Sequence, residues 1–292
     1  MKKNTIFALG FFDGVHLGHQ ALLAACRQEA ARMGCDCGAI TFASHPQSLF
    51  VATPPALINT GADRAALLSA YGAEHIIEYP VTKEVMSTPW QKFLTDLLAQ
   101  GAAGFVCGDD FRFGHKGEGD AKKLAEFCRE RNLPCVIVPE QSMDGVRIAS
   151  THIRKLLEAG QLDKAVKFLG HPHILSGRVV SGRQIGRTIG VPTANILIPE
   201  GVVVPQLGVY ACRVTVESQS FAAVTNIGSR PTVGGHQVRA ESWILDFSGD
   251  LYGKELRLEF HHFLRPEQKF TDLEALRLQI QQDADHTRQL LR

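Results

Sequence analysis

The sequence contains no run of about 18 apolar residues, the length a helix needs to cross a bilayer, so no membrane span is expected. Charge of one sign is not in excess either: 31 Lys and Arg face 30 Asp and Glu, a formal net charge of +1. A chain balanced in this way is not basic overall, and binding to nucleic acid is not expected without a local patch. Low hydrophobicity combined with high net charge marks disorder, and both are missing. Internal repeats and low-complexity segments are absent too. The seven cysteines are an odd number, which argues for reduced thiols rather than a disulfide framework. Cys35 and Cys37 form a lone C-x-C with no second pair at zinc-ligand spacing, so packing is the expected role. The apolar stretch after Asn4 ends at Asp13 with no small-residue cleavage site after it. A cytoplasmic protein that starts almost directly with a strand is therefore expected.

What is present suggests two domains. The 292 residues are 45% hydrophobic, enough for real cores, and about 150 residues per domain gives two. Residues 1–168 alternate strand and helix. Short apolar strands are predicted at Thr5–Leu9, Gly38–Phe42, His75–Tyr79, Gly104–Cys107 and Cys135–Val138. Helices are predicted near Gln20–Met33, Asp63–Tyr71, Trp90–Gln100 and Ala121–Arg131, and Thr151–Ala159 and Leu162–Phe168 close this half. Leu22, Leu23, Cys26, Ala30 and Met33 recur at helical spacing, and Gly34 follows as a C-cap candidate. The pattern predicts an α/β fold, a parallel sheet covered on both faces. Residues 169–292 read as a β domain. Strand-like runs at Ile174–Val180, Gly208–Val216, Phe221–Asn226, Ala240–Phe247 and Glu255–Phe263 predict a closed or nearly closed antiparallel barrel. A final helix, Asp272–Leu290, follows with Thr271 as N-cap candidate.

Three segments of the first half sit where strands hand over to helices, the ligand edge of an open α/β sheet. Gly10-Phe11-Phe12-Asp13-Gly14-Val15-His16-Leu17-Gly18-His19 joins the first strand to the first long helix. Its glycines let a phosphate approach the backbone, and the helix N-terminus attracts anions. His16 and His19, three apart, share a face, so both imidazoles can donate to one phosphate chain. A tight turn with two solvated histidines is the bland alternative. The pattern is neither G-x-x-x-x-G-K-[ST] nor G-x-G-x-x-G. Ser150, Thr151 and Arg154 stand at a helix start, suited equally to capping the helix and to clamping phosphate. Gly108-Asp109-Asp110-Phe111-Arg112-Phe113-Gly114 carries rings, an arginine and carboxylates that can hold a planar heterocycle, although Phe111 and Phe113 can equally turn into the core.

G-F-F-D-G-V-H-L-G-H, G-D-D-F-R-F-G and I-A-S-T-H-I-R, in that order, resemble the adenylyltransferase half of the bacterial bifunctional riboflavin kinase/FMN adenylyltransferase (FAD synthetase) family. The second half continues the resemblance. Gly186-Arg187-Thr188-Ile189-Gly190-Val191-Pro192-Thr193-Ala194-Asn195 is similar to the kinases' G-R-T-x-G-x-P-T-A-N. Asn226-Ile227-Gly228-Ser229-Arg230-Pro231-Thr232 is similar to their N-I-G-x-R-P-T. Glu241 stands where the family has its catalytic glutamate, and the Phe263-Leu264-Arg265-Pro266-Glu267 segment continues the match.

The resemblance covers essentially the whole chain. It implies a nucleotidyltransferase-type sheet followed by a riboflavin-kinase-type barrel, with riboflavin, FMN and ATP as small-molecule substrates, FMN and FAD as products, and Mg²⁺ as the metal. Implied roles are His16, His19, Arg154 and Glu241 as catalytic groups. Gly10, Phe12, Asp13, Gly14, Gly18, Ser150, Thr151, Gly186, Arg187, Thr188 and Gly190 would bind ATP or its phosphates. Asp110, Phe111, Phe113, Asn226 and Arg265 would bind flavin, and Thr193 and Asn195 would hold the metal. Formation of a homo-oligomer is left open. From the residues alone, P-T-A-N also reads as a turn and Glu241 as an exposed strand carboxylate. The sequence departs from the family's pattern at Ser242 and Trp243, where relatives carry a hydrophobic residue and then His. It departs again at Val191, Ala149 and His152. The departures beside Glu241 motivate an alternative in which one activity is retained and the other domain is a flavin-binding regulatory module.

Overall fold

The computed structural model describes residues 4–181, 190–217, 219–232 and 235–292. It divides into two compact units, Met1–Leu57 with Gly61–Ser150, and Ile58–Thr60 with Thr151–Arg292.

The first unit is built on five parallel strands: β1 (Thr5–Leu9), β2 (Asp36–Phe42), β3 (His75–Tyr79), β4 (Ala102–Gly108) and β5 (Cys135–Val138). Their spatial order is β3-β2-β1-β4-β5. The strands predicted from sequence are all there, β2 longer by two residues and β4 by three. Every residue of β1 is buried, as expected for the central strand of a sheet covered on both faces. Helix α1 (Leu17–Met33) buries Leu22, Leu23, Cys26 and Ala30 and ends at Gly34, whose left-handed backbone (φ +64°) closes the last turn as expected. Cys37 on β2 donates its thiol to Cys26 on α1 at 3.2 Å, so that residue of the C-x-C is core packing. Helices α2 (Gly61–Ala70), α3 (Trp90–Ala99) and α4 (Ala121–Glu130) complete the layers. The chain runs outward from β1 through β2 to β3, then returns to place β4 on the other side of β1. The crevice between the carboxyl ends of β1 and β4 is therefore a topological switch point, where open α/β sheets bind ligands.

The second unit is a closed six-stranded barrel. Its strands are β6 (His173–Val180), β7 (Ala194–Leu197), β8 (Gly208–Val216), β9 (Gln219–Thr232), β10 (Gly235–Ile244) and β11 (Glu255–Arg265), in the order β6-β7-β10-β9-β8-β11. Neighbouring strands are antiparallel throughout. Helices α5 (Ser150–Glu158) and α6 (Leu162–Leu169) precede the barrel, and α6 packs on β6 and β11. Strand β7 was not among the predicted strands. It forms because closing the barrel needs a partner between β6 and β10, a tertiary demand that overrides the turn propensity of Asn195.

The terminal helix α7 (Leu273–Leu290) is capped by Asp272, whose carboxylate accepts the Ala275 N–H at 2.8 Å. This corrects the expectation of Thr271, whose hydroxyl instead donates to Asp272. Ala284 of α7 packs with Val209, Val224 and Leu245, so the helix covers one patch of the barrel's outer face.

Candidate active sites at the sheet switch point and on the barrel wall

The loop after β1 is shaped by backbone conformations that side chains seldom adopt. Phe12 (φ +57°), Gly14 (φ +81°) and Val15 (φ +39°) all have positive φ. The turn buries Phe12 completely, and Asp13 and Gly14 are buried with it. These three expected phosphate ligands lie beneath the loop and do not line its cleft. Gly10, Phe11, His16, Gly18 and His19 do line it, together with Asp110, Phe111 and Ser150. The cleft measures about 800 Å³. Ser150 donates its hydroxyl to the Asp13 carbonyl at 2.8 Å and so ties the start of α5 to the loop.

His16 caps α1, its Nδ1 accepting the His19 backbone N–H at 3.4 Å. A neutral His16 therefore carries its proton on Nε2. The His19 ring stacks on it, centroids 3.7 Å apart, and meets the Phe12 edge at 5.2 Å. Burial first, then the neighbouring His16 and Arg64, hold the His19 pKa well below that of free imidazole. His19 is thus a neutral hydrogen-bonding group at neutral pH, and its Nδ1 has no hydrogen-bond partner among the described residues. Thr151 and Arg154 belong to the second compact unit, with Arg154 Nη1 3.5 Å from Thr151 Oγ1 on α5.

Phe111 and Phe113 divide between the two readings. Phe113 is buried in the core cluster, Phe111 stacks on it at 5.5 Å, and both line a second, more apolar cleft across Gly10 with Phe42, Pro46 and Met86. Asp110 lies in the first cleft, where it accepts from Arg147.

On the barrel, strand register assembles the second site. Glu241 on β10 faces Asn195 on β7 to one side and Asn226 on β9 to the other. Side chains alternate along a strand, so Glu241 and Trp243 share one face while Ser242 takes the opposite one. Ser242 is fully buried and pairs with the Thr225 hydroxyl at 2.9 Å, which satisfies the polar group at that departure from the family pattern. Glu241 and Trp243 line a cleft of about 1030 Å³ beneath α7, with Thr193, Asn226, Arg265 and Phe270. Arg265 is held there by Asp283, with contacts of 2.8 to 3.1 Å. Thr193 also lines a neighbouring cleft with Ala194, Ser242, Asp250 and Tyr252, so it stands between the two. Asn195 is buried, and its Oδ1 accepts no hydrogen bond among the described residues. Gly190 has φ +75°; Gly186, Arg187 and Thr188 lie outside the described residues.

Comparison with known proteins decides between readings of this geometry. The FAD synthetase family model matches residues 1–152 and the riboflavin kinase model residues 169–291. The bifunctional riboflavin kinase/FMN adenylyltransferase of Listeria monocytogenes is 35% identical over 98% of this chain and 92% of its own. That of Escherichia coli K12 is 34% identical over 97% and 91%. The chain belongs to the bifunctional riboflavin kinase/FMN adenylyltransferase family. This enzyme phosphorylates riboflavin to FMN and adenylylates FMN to FAD, and with both halves matched the single-activity alternative has no support. A crystal structure described as a macrolide-efflux protein of Streptococcus pneumoniae has the same fold over 99% of the chain and 95% of its own, with a TM-score of 0.88 and 29% identity. Among the described residues, no helix of the enzyme is long and apolar enough to cross a membrane.

Sequence reasoning missed several residues that these sites contain. Arg64, Phe270 and Asp283 carry no local motif and reach their sites only through packing.

Proposed function

We propose that the two reactions run at the two sites just described, with residues 1–168 carrying adenylyl transfer and residues 169–292 the kinase. On the barrel, riboflavin lies under α7 against Trp243, and ATP occupies the neighbouring cleft beyond Thr193. Glu241 orients the ribityl 5′-hydroxyl and accepts its proton as the oxygen bonds the γ-phosphorus and the bridge to ADP breaks. In such a transfer, positioning and charge neutralisation supply most of the rate. Thr193 and Asn195 would hold Mg²⁺. The unengaged, buried Oδ1 of Asn195 is the hard oxygen donor that this ion prefers, and the ion when bound neutralises phosphate charge. The register that sets Glu241 between Asn195 and Asn226 is the observation that carries this reading.

At the switch point, an oxygen of the FMN phosphate attacks the α-phosphorus of ATP and pyrophosphate leaves. No general base is required, because a phosphate monoester is largely anionic near neutral pH. His16 and His19 donate to the phosphates and stabilise the charge that grows on the leaving group. Ser150 supplies a further donor. The flavin ring uses the apolar cleft beside Phe111 and Phe113. The enzyme works in the cytoplasm on these small molecules, without nucleic acid or membrane.

The test is to follow products from riboflavin, ATP and Mg²⁺ in wild type, Glu241→Gln and His19→Ala. The first variant is expected to lose FMN formation but still convert supplied FMN. The second is expected to stop at FMN. Retention of both activities in either variant would contradict the assignment for that site.

A further inference from the structure

The phosphate-binding loop contains no lysine or arginine, yet it must receive a polyanion. Its imidazoles are poor substitutes for a fixed charge, because His19 is neutral at neutral pH. Its one charged residue, Asp13, is buried and of the wrong sign. The rest of the cleft does not help. Asp109, Asp110 and Glu140 line it against one cation, Arg147, which is already engaged by Asp110 and Glu140. A site with this lining would repel a triphosphate.

The missing charge lies behind the loop. Arg64, on α2, is 1% exposed, one of the largest fully buried side chains of the protein. Its guanidinium carbon sits 4.9 Å from the centroid of the Phe11 ring, which itself lines the cleft. Nη2 donates to the Phe42 carbonyl at the end of β2 and approaches Glu78 at 3.4 Å. Nε and Nη1 have no hydrogen-bond partner among the described residues. A buried cation left with two idle donors and one loose ion pair is costly, and burial within packing this tight has to be compensated elsewhere. Asp13 and His19 both feel its charge.

We propose that Arg64 is a positioning residue for adenylyl transfer: its buried charge balances Asp13 and draws the ATP triphosphate onto the Gly10–His19 loop without touching it. A charge in a low-dielectric setting acts over a longer range than one in water, and it needs no rearrangement when the ligand arrives. Glu78, 41% exposed and 3.4 Å from the guanidinium, opposes this field.

The inference rests on the assignment of this loop to adenylyl transfer. The experiment is to measure KM for ATP and kcat in FAD formation from FMN, with riboflavin phosphorylation by the same preparations as an internal control of folding. Arg64→Met is expected to raise KM for ATP at least about tenfold while FMN formation stays within about twofold of wild type. Arg64→Lys, which keeps the charge and not the fork, is expected to recover KM to within about threefold. An unchanged KM in Arg64→Met, or a Lys variant as impaired as the Met variant, overturns the proposal. If Arg64→Met loses both activities and so fails to fold, Glu78→Gln decides. Removing the opposing charge should lower KM for ATP, and an unchanged or higher KM overturns the proposal. His19→Ala run alongside separates the two claims, because full FAD formation in that variant would refute the loop assignment rather than the role of Arg64.

Discussion

The imidazoles of His16 and His19 lie face to face, their centroids 3.7 Å apart and their planes 14° from parallel. Two cations cannot share such a stack at low cost, and buried His19 is the neutral donor of the pair. Replacing His19 with Ala removes a donor aimed at developing charge and is expected to slow FAD formation about 10²- to 10³-fold. FMN formation should stay at the wild-type level. Separate initial rates for the two products check this.

The same stack has a spectroscopic consequence. Burial, His16 and Arg64 together hold the His19 pKa well below that of free imidazole. In the unliganded enzyme, NMR titration of the His19 ring should show it still neutral as pH falls through about 6.5, where an unperturbed histidine is half protonated. A midpoint at the ordinary value would show that the ring is not enclosed as described.

His173 at the start of β6 is expected to destabilise the barrel in acid. It is wholly buried against Phe260, neither ring nitrogen has a hydrogen-bond partner among the described residues, and burial pushes its pKa down to about 3. The folded-state pKa lies below the unfolded one. Between about 6.5 and about 3 the unfolded chain therefore binds a proton that the folded chain refuses, and stability falls as pH falls. The slope from this group approaches about 1.4 kcal/mol per pH unit. Denaturant unfolding should show a loss of about 2 kcal/mol from this residue between pH 7 and pH 5. His173→Leu is expected to remove that part of the loss, whereas an identical pH dependence in the variant would contradict the account.

Arg265 and Asp283 form a nearly buried ion pair, 17% and 6% exposed, that ties the end of β11 to α7 at the wall of the kinase cleft. Removing one partner leaves the other charge buried alone. Asp283→Asn is expected to cost about 3 kcal/mol of stability and to raise KM for riboflavin more than it lowers kcat. Chemical denaturation and riboflavin kinetics check the two effects separately.

Local pattern determined most of what is legible in the sequence. The apolar runs of β1 to β5 and the helical spacing of Leu22, Leu23, Cys26 and Ala30 are short-range signals, and they placed the parallel sheet and put the His16–His19 loop on its ligand edge. The ordered motifs from Gly10 to Glu267 identified the family, because each is a contiguous stretch of chain. Tertiary structure alone decided the rest. Strand β7 exists because a barrel must close, against the turn propensity of Asn195. Phe12 went beneath the loop instead of into the cleft because positive backbone angles turn its ring inward. Arg64, remote in sequence from the loop it serves, acquired its position only when α2 packed against the turn after β1 and against β3, since an electrostatic field depends on distance in space and leaves no trace in the order of residues.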